Sequence, residues 1–193
     1  SELLDKADTY DHFSRFRLEI IHNNSQRLFS LINQVLDLRK ISSESNRLFI
    51  SNGDIVKTIG DVKNSFNWTA EQKNIHYDFT FDRLSFSGWY DKDKIEKVVF
   101  NLLANAFKYT PAGGEVQMNL HIEAATGLNP VVHVTFRDTG TGIDPPEIDK
   151  IFDMFYQGKK QSSFGSGIGL ALSKKLISIH HGEIAVTSFE SVG

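Results

Sequence analysis

Apolar residues in the first forty positions recur at spacings of three, four and seven, with Ile21, Leu28, Leu31, Ile32, Val35, Leu36 and Leu38 as the repeating set. That period predicts a helix, and at about 100° per residue these positions fill a stripe wider than half the circumference. So broad a stripe needs more than one partner. Periodicity alone fits a core helix and a helix of a multi-helix bundle equally well, although Ile21, Leu28 and Val35 keep a heptad interval. The pattern breaks after Ile41 in the polar run Ser42-Ser43-Glu44-Ser45-Asn46, where a domain boundary is expected, dividing 1–46 from 47–193.

Beyond it the period switches repeatedly. Ser51-Asn52-Gly53 reads as a turn, and Asp54 as the cap of a helix carrying Ile55, Ile59, Val62 and Phe66. Ile75, Tyr77, Phe79 and Phe81 alternate with polar residues and predict a strand. Asp91 caps a second helix, and strands are predicted at Val116–Ile122 and Val132–Phe136. A helix from about Gly167 to His181 and a strand over Glu183–Thr187 complete the pattern. Helices interleave with short strands, two of which are joined by a short loop. This favours an α/β (α+β) two-layer sandwich, a mixed sheet with helices on one face, over a doubly wound parallel sheet.

Composition narrows the function classes. With 40% hydrophobic and 11% aromatic residues the chain can build a core, so extensive disorder is excluded. A net charge of −3 is too balanced to coat nucleic acid or an anionic membrane, so any anion must be bound locally. The absence of cysteine removes disulfides, thiol nucleophiles and zinc fingers. No apolar run reaches the roughly 18–20 residues of a membrane span, and the polar start does not read as a signal peptide, so a soluble cytoplasmic piece is expected.

Four segments carry chemistry. On the helix after Asp91, Asn101, Asn105 and Lys108 fall within about 60° of one another, opposite Ile95, Val99, Leu102 and Ala106. Amide carbonyls suit Mg²⁺ and lysine suits phosphate, although a solvated face has the same composition. Asp138-Thr139-Gly140-Thr141-Gly142-Ile143 follows a strand; its carboxylate can accept a hydrogen bond from an exocyclic amine, and its glycines let a planar ring approach. An Asx-type glycine turn is the alternative. Gly165-Ser166-Gly167-Ile168-Gly169-Leu170 opens a helix, where free N–H groups and the dipole favour phosphate. Its spacing matches neither the dinucleotide fingerprint nor the P-loop, and the H-R-D and D-F-G signatures of protein kinases are missing. Between the last two lies Ile151–Phe164, an aromatic cluster followed by a polar segment with Lys159 and Lys160, the composition of a lid anchored at Phe152 and Phe155.

In that order, Asn-x-x-x-Asn-Ala-x-Lys, Asp-x-Gly-x-Gly-Ile, Phe-x-x-Phe and Gly-x-Gly-x-Gly-Leu, the motifs resemble the N, G1, F and G2 boxes of the sensor histidine kinases, over residues 14 to 189. The resemblance implies an ATP-binding fold of the kind shared with gyrase, certain chaperones and mismatch-repair ATPases. It makes the opening helix similar to the second helix of a dimerisation and phosphotransfer hairpin, as in hybrid sensors, which tips the stripe toward a bundle. It implies that Asn105, with Asn101, holds Mg²⁺ on the triphosphate, that Lys108 and Tyr109 contact phosphate, and that Asp138 bonds adenine. Gly140 and Gly142 then shape the base pocket, Gly165, Gly167 and Gly169 frame the lid end over the phosphates, Ile143, Phe155 and Leu170 complete the nucleotide-binding set, and Lys159 or Lys160 supplies the positive contact to the terminal phosphate.

The related hydrolases carry a glutamate where Asn101 stands, and an amide cannot take a proton, so the site should hold ATP for transfer and hydrolyse it slowly. The resemblance further implies a homodimer through the opening helix, a histidine-bearing hairpin and a response regulator or receiver domain as partners, and membrane anchoring only through other parts of a longer protein. Three departures are visible: the phosphoacceptor box has no counterpart here, so no catalytic histidine is assigned; Met154 stands where the F box often has arginine; and the residues stop short of a closing strand. All seven histidines are expected to be structural or superficial. A module that binds ATP only to order its lid is the alternative function.

Overall fold

A computed structural model describes residues 47–123, 130–158 and 166–189, together with Arg17, Ile20, Ile21, Asn24, Ser25, Leu28 and Ile32. The chain separates into two compact units, Ser1–Ser45 and Asn46–Gly193. In the first, the described positions are helical, and Ile21 and Leu28, one heptad apart, expose 60% and 61% of their surface. Leu31, Val35, Leu36 and Leu38 of the same stripe lie outside the described residues.

The second unit begins with β1 (Ser51–Asp54), α1 (Ile55–Asn64), α2 (Asn67–Lys73), β2 (His76–Phe81) and β3 (Ser87–Tyr90). It continues with α3 (Lys92–Tyr109), β4 (Glu115–Glu123), β5 (Val131–Asp138), a 3₁₀ turn (Pro145–Lys150) and α4 (Gly169–Ile179). One sheet has the order β2-β4-β5, with β2 parallel and β5 antiparallel to β4, so it is mixed as the pattern predicts. Central β4 shows why: Val116, Met118, Leu120 and Ile122 are buried, and the residues between them face out. Against that buried face α3 lays Val99, Leu103 and Phe107, and Phe107 stacks on Phe66 at 5.3 Å and meets Tyr77 edge-on at 4.8 Å. Burial also pushes the Tyr77 phenol up from its ordinary range. Each fully buried aliphatic side chain contributes about 1.5–3 kcal/mol, so this layer dominates the stability of the unit.

Four local expectations are corrected. Ser51-Asn52-Gly53 is not a turn but most of β1, because Ser51 to Asp54 pair antiparallel with Tyr90 to Ser87. The helix expected through Phe66 stops at Asn64, and Phe66 turns the chain into α2 with its ring in the core. On α3 it is Leu103, not Leu102, that is fully buried, while Val99 and Ala106 keep their expected places on the buried stripe. Glu183–Thr187 alternates in exposure like a strand, yet it has no ladder among the described residues: alternation reports which side of a segment is covered, and strand pairing needs a partner as well. Among the described residues, no helix is long and apolar enough to cross a membrane.

Both helix starts that the sequence marks with aspartate are built as caps. Asp54 Oδ1 accepts from the amides of Val56 and Lys57 at 3.0 and 3.2 Å, while its Oδ2 accepts from the Ser85 hydroxyl at 2.6 Å. The Ser85 bond and these amides hold its carboxyl below the usual range. Asp91, almost wholly buried, accepts from the amides of Lys94 and Phe49 at 3.2 and 2.8 Å and from the Lys94 ammonium. Burial alone would raise its carboxyl, but these donors outweigh burial and hold it below the usual range. At the far end of α4, His180 Nε2 accepts from the Asp91 amide at 3.4 Å and Nδ1 donates to Leu176 O at 2.7 Å. His180 therefore joins the end of α4 to the start of α3, the structural role expected of it.

Candidate nucleotide site

With Asp91 fixing its first turn, α3 buries Val98, Val99, Leu103, Ala106 and Phe107 and leaves Asn101, Asn105 and Lys108 half-buried off that stripe. The Asn101 amide donates to Gly169 O at 3.3 Å and lies 3.5 Å from Ser173 Oγ. Ser173 is fully buried and also donates to Gly169 O, at 2.9 Å. One amide thus joins the asparagine motif to the start of α4. Asn105 lies one turn further along, and the Lys108 ammonium donates to Tyr109 Oη at 2.7 Å, 4.7 Å from the centre of its ring.

Thr110 ends α3 in an extended conformation, its hydroxyl donating to Ala106 O at 2.7 Å. The backbone of Tyr109 just before it forms the floor under Gly140. A β-carbon on Gly140 would stand 2.9 Å from Tyr109 O and 2.6 Å from Asp138 Oδ1, so only glycine fits this crossing. Asp138, the last residue of β5, accepts from the Gly140 amide at 2.9 Å. Burial pushes its carboxyl up, and the Gly140 N–H only partly opposes this. A half-buried carboxylate with little compensation is well suited to a donor brought by a ligand. Gly142 adopts the left-handed region at φ 68°, and the Ile143 amide donates to Ser188 Oγ at 2.9 Å.

The third motif is pinned to the second aromatic. Phe155 N donates to Gly167 O at 2.8 Å, and a β-carbon on Gly167 would approach Phe155 C to 2.5 Å. The Phe155 side chain, by contrast, is 64% exposed, so it does not anchor a hinge through core packing; its backbone makes the attachment. Phe152 is half-buried, with the Lys174 ammonium 4.9 Å from its ring centre. Ile168, the residue before α4, has no polar side chain, so the first amides of Gly169 and Leu170 have no side-chain cap. Lys159 and Gly165 lie outside the described residues.

Two contacts in this region have no signature in residue spacing: the floor that Tyr109 forms under Gly140, and the Ser188 bond that seats Ile143. Ser173 was legible in principle, as the one buried polar position of an otherwise apolar helix face four residues from Gly169. A cavity of about 290 Å³ lined by Ser51, Asp54, Thr58, Asp61 and Tyr90 lies at the β1 end, and none of the motif residues lines it.

Chemically, the motif residues offer a desolvated acceptor for an amine, two amide carbonyls suited to a hard cation, a lysine, and uncapped helix amides for an anion. A family model described as the histidine kinase-, DNA gyrase B- and HSP90-like ATPase matches residues 90–193. Among curated proteins, histidine kinase P4 of Formosa agariphila is 32% identical over 183 residues, covering 92% of this chain, which spans only 13% of that protein. Among solved structures, full-length ShkA in complex with AMPPNP superposes with a TM-score of 0.69 at 23% identity, over 86% of this chain and 35% of that one. Histidine kinase ThkA, solved in complex with the response regulator protein TrrA, gives 0.65 at 23% identity, over 84% of this chain and 43% of that one.

Proposed function

From the premise that this chain belongs to the histidine kinase-, DNA gyrase B- and HSP90-like ATPase family, as a catalytic ATP-binding domain of the sensor histidine kinase type, we propose that it binds ATP with Mg²⁺ and directs the γ-phosphoryl group to a histidine on a hairpin helix. The observation that carries the reading is the joining of motifs far apart in sequence, Asn101 to Gly169 and Tyr109 to Gly140. In this reading Asp138 accepts from the adenine amine and Gly140 leaves room for the ring. Gly142 and Ile143 continue that wall. The amides of Gly169 and Leu170, with Lys108 and Tyr109, receive the phosphates, and Gly167 with Phe155 sets where the lid begins.

The amide carbonyls of Asn105 and Asn101 fit a hard cation, and Mg²⁺ there supplies charge neutralisation on the triphosphate. None of these groups is a nucleophile, and Asn101 cannot act as a base. Catalysis therefore consists of positioning and electrostatics. The heptad-spaced, exposed Ile21 and Leu28 support pairing of the first unit with a second copy of the chain. A response regulator as downstream acceptor follows the ThkA–TrrA pairing. The domain is assigned to the cytoplasmic side of a longer, membrane-anchored sensor.

The test is incubation with γ-labelled ATP and a separately supplied histidine-bearing hairpin. Label is expected on the hairpin histidine, with slow turnover when the acceptor is left out. Measurable binding with no transfer favours a nucleotide-gated module, and rapid acceptor-free turnover a gyrase- or chaperone-like ATPase.

A further inference from the structure

The outward face of the sheet carries a second cluster of ligating side chains, made of residues that belong to none of the nucleotide motifs. The parallel register of β2 and β4 sets His76 directly opposite Glu115, and the two-residue period puts Asp78 on the same face as His76. One imidazole nitrogen and one oxygen from each carboxylate lie within 4.8 Å of one another. His76 Nε2 is 2.9 Å from Asp78 Oδ2, with the two side chains 68% and 55% exposed. Gln117, opposite Asp78, donates from Nε2 to Glu115 Oε1 at 2.7 Å and orients that carboxylate.

We propose that His76, Asp78 and Glu115 form a surface site for a divalent transition metal of the zinc class, bound by one imidazole and two carboxylates with water completing the shell. Tetrahedral zinc with bonds of about 2.0–2.2 Å separates its ligand atoms by about 3.4 Å, so small side-chain rotations on a fixed ladder suffice. The mixed nitrogen and oxygen donor set suits zinc better than magnesium or calcium, which prefer oxygen alone. Gln117 supplies the outer-shell hydrogen bond that ligating carboxylates ordinarily have.

The site also has a route to the loop after β5. Thr139 N donates to Glu115 O at 3.0 Å, and Glu115 N donates to Thr139 Oγ1 at 2.9 Å. An ion that fixes Glu115 therefore stiffens the strand end from which Thr139 and the Asp138–Gly140 turn are held.

Calorimetric titration of the whole chain with Zn²⁺ alone tests the site and requires no nucleotide, so its failure leaves the nucleotide reading untouched. One saturable equivalent is expected, weakened roughly tenfold or more in both His76→Ala and Glu115→Gln. His121→Ala/His133→Ala, which alters the other histidine pair of the same face, is expected to bind as the parent does. Co²⁺ substitution is expected to give the visible absorption of a four-coordinate ion, lost in His76→Ala. With Zn²⁺ present, amide exchange at Thr139 is expected to slow several-fold. Equal affinity in parent and His76→Ala, loss of binding only in the His121/His133 variant, or weak non-saturating uptake each overturns the proposal. The three ligands are side chains on the exposed face, so the variants are expected to keep the parent's circular dichroism.

Discussion

Phe155 and Gly167 both occupy the left-handed region, at φ 65° and 67°, and the amide of the first donates to the carbonyl of the second at 2.8 Å. Gly167 takes this conformation without strain, and its carbonyl helps hold Phe155, a residue with a side chain, in a region that favours glycine. Gly167→Ala adds about 1–2 kcal/mol of backbone strain and a β-carbon 2.5 Å from the carbonyl carbon of Phe155, which has to move. The variant is expected to unfold several degrees below the parent and to bind ATP at least tenfold more weakly, read by thermal melts and titration. Phe155→Gly, which relieves a left-handed side chain already 64% exposed, is expected to stay within about 0.5 kcal/mol of the parent.

Asp138 sets stability against binding. Burial raises its carboxyl, so its ionised form costs the empty fold stability at all pH values above the folded value, and that cost disappears as pH falls below about 3.9, the unfolded value. Asp138→Asn is therefore expected to raise the melting temperature of the nucleotide-free chain at pH 7, with the gain shrinking toward pH 3.5. The same variant loses a charged hydrogen bond to adenine worth about 1.5–3 kcal/mol, so its ATP affinity is expected to fall at least tenfold. Higher stability with unchanged affinity would place adenine elsewhere.

The opposite sign holds at Asp91. Its carboxyl lies below the usual range, so its contribution is present above the unfolded value near about 3.9 and is lost as pH falls through the folded value. Asp91→Asn keeps an acceptor for the cap but leaves the Lys94 ammonium, 16% exposed, without its counter-charge. Urea denaturation at pH 7 is expected to show a loss of about 1.5–3 kcal/mol, narrowing only as pH falls through the folded value, where the parent loses the interaction too.

Asn105→Ala is expected to leave ATP affinity in EDTA within twofold of the parent while removing most of the gain that Mg²⁺ brings. An undiminished magnesium effect would move the cation to other ligands.

Much of this architecture is legible in residue patterns because its elements are half-buried. Val116, Met118, Leu120 and Ile122 alternate since one face of β4 meets α3 and the other meets water. Asp54 and Asp91 mark helix starts because capping is a local, side-chain-to-backbone event. What the patterns hide is non-local. Ser51-Asn52-Gly53-Asp54 has turn composition and becomes a strand only through β3, whose Tyr90 pairs with Ser51 and whose Ser87 pairs with Asp54. At the candidate site, the glycine motifs are visible as spacing, but the reason Gly140 must be glycine is the Tyr109 carbonyl beneath it, which no spacing encodes.

Because β2 and β4 run parallel, the chain between them must cross from one end of the sheet to the other, and α3 lies in that crossing. The helix that bears Asn101, Asn105 and Lys108 is therefore a structural connector as well as part of the candidate site. In kinetic terms, closing the β2–β4 register and delivering these side chains are one event. On refolding from urea, sheet circular dichroism and binding of a fluorescent ATP analogue are expected to recover with the same rate constant.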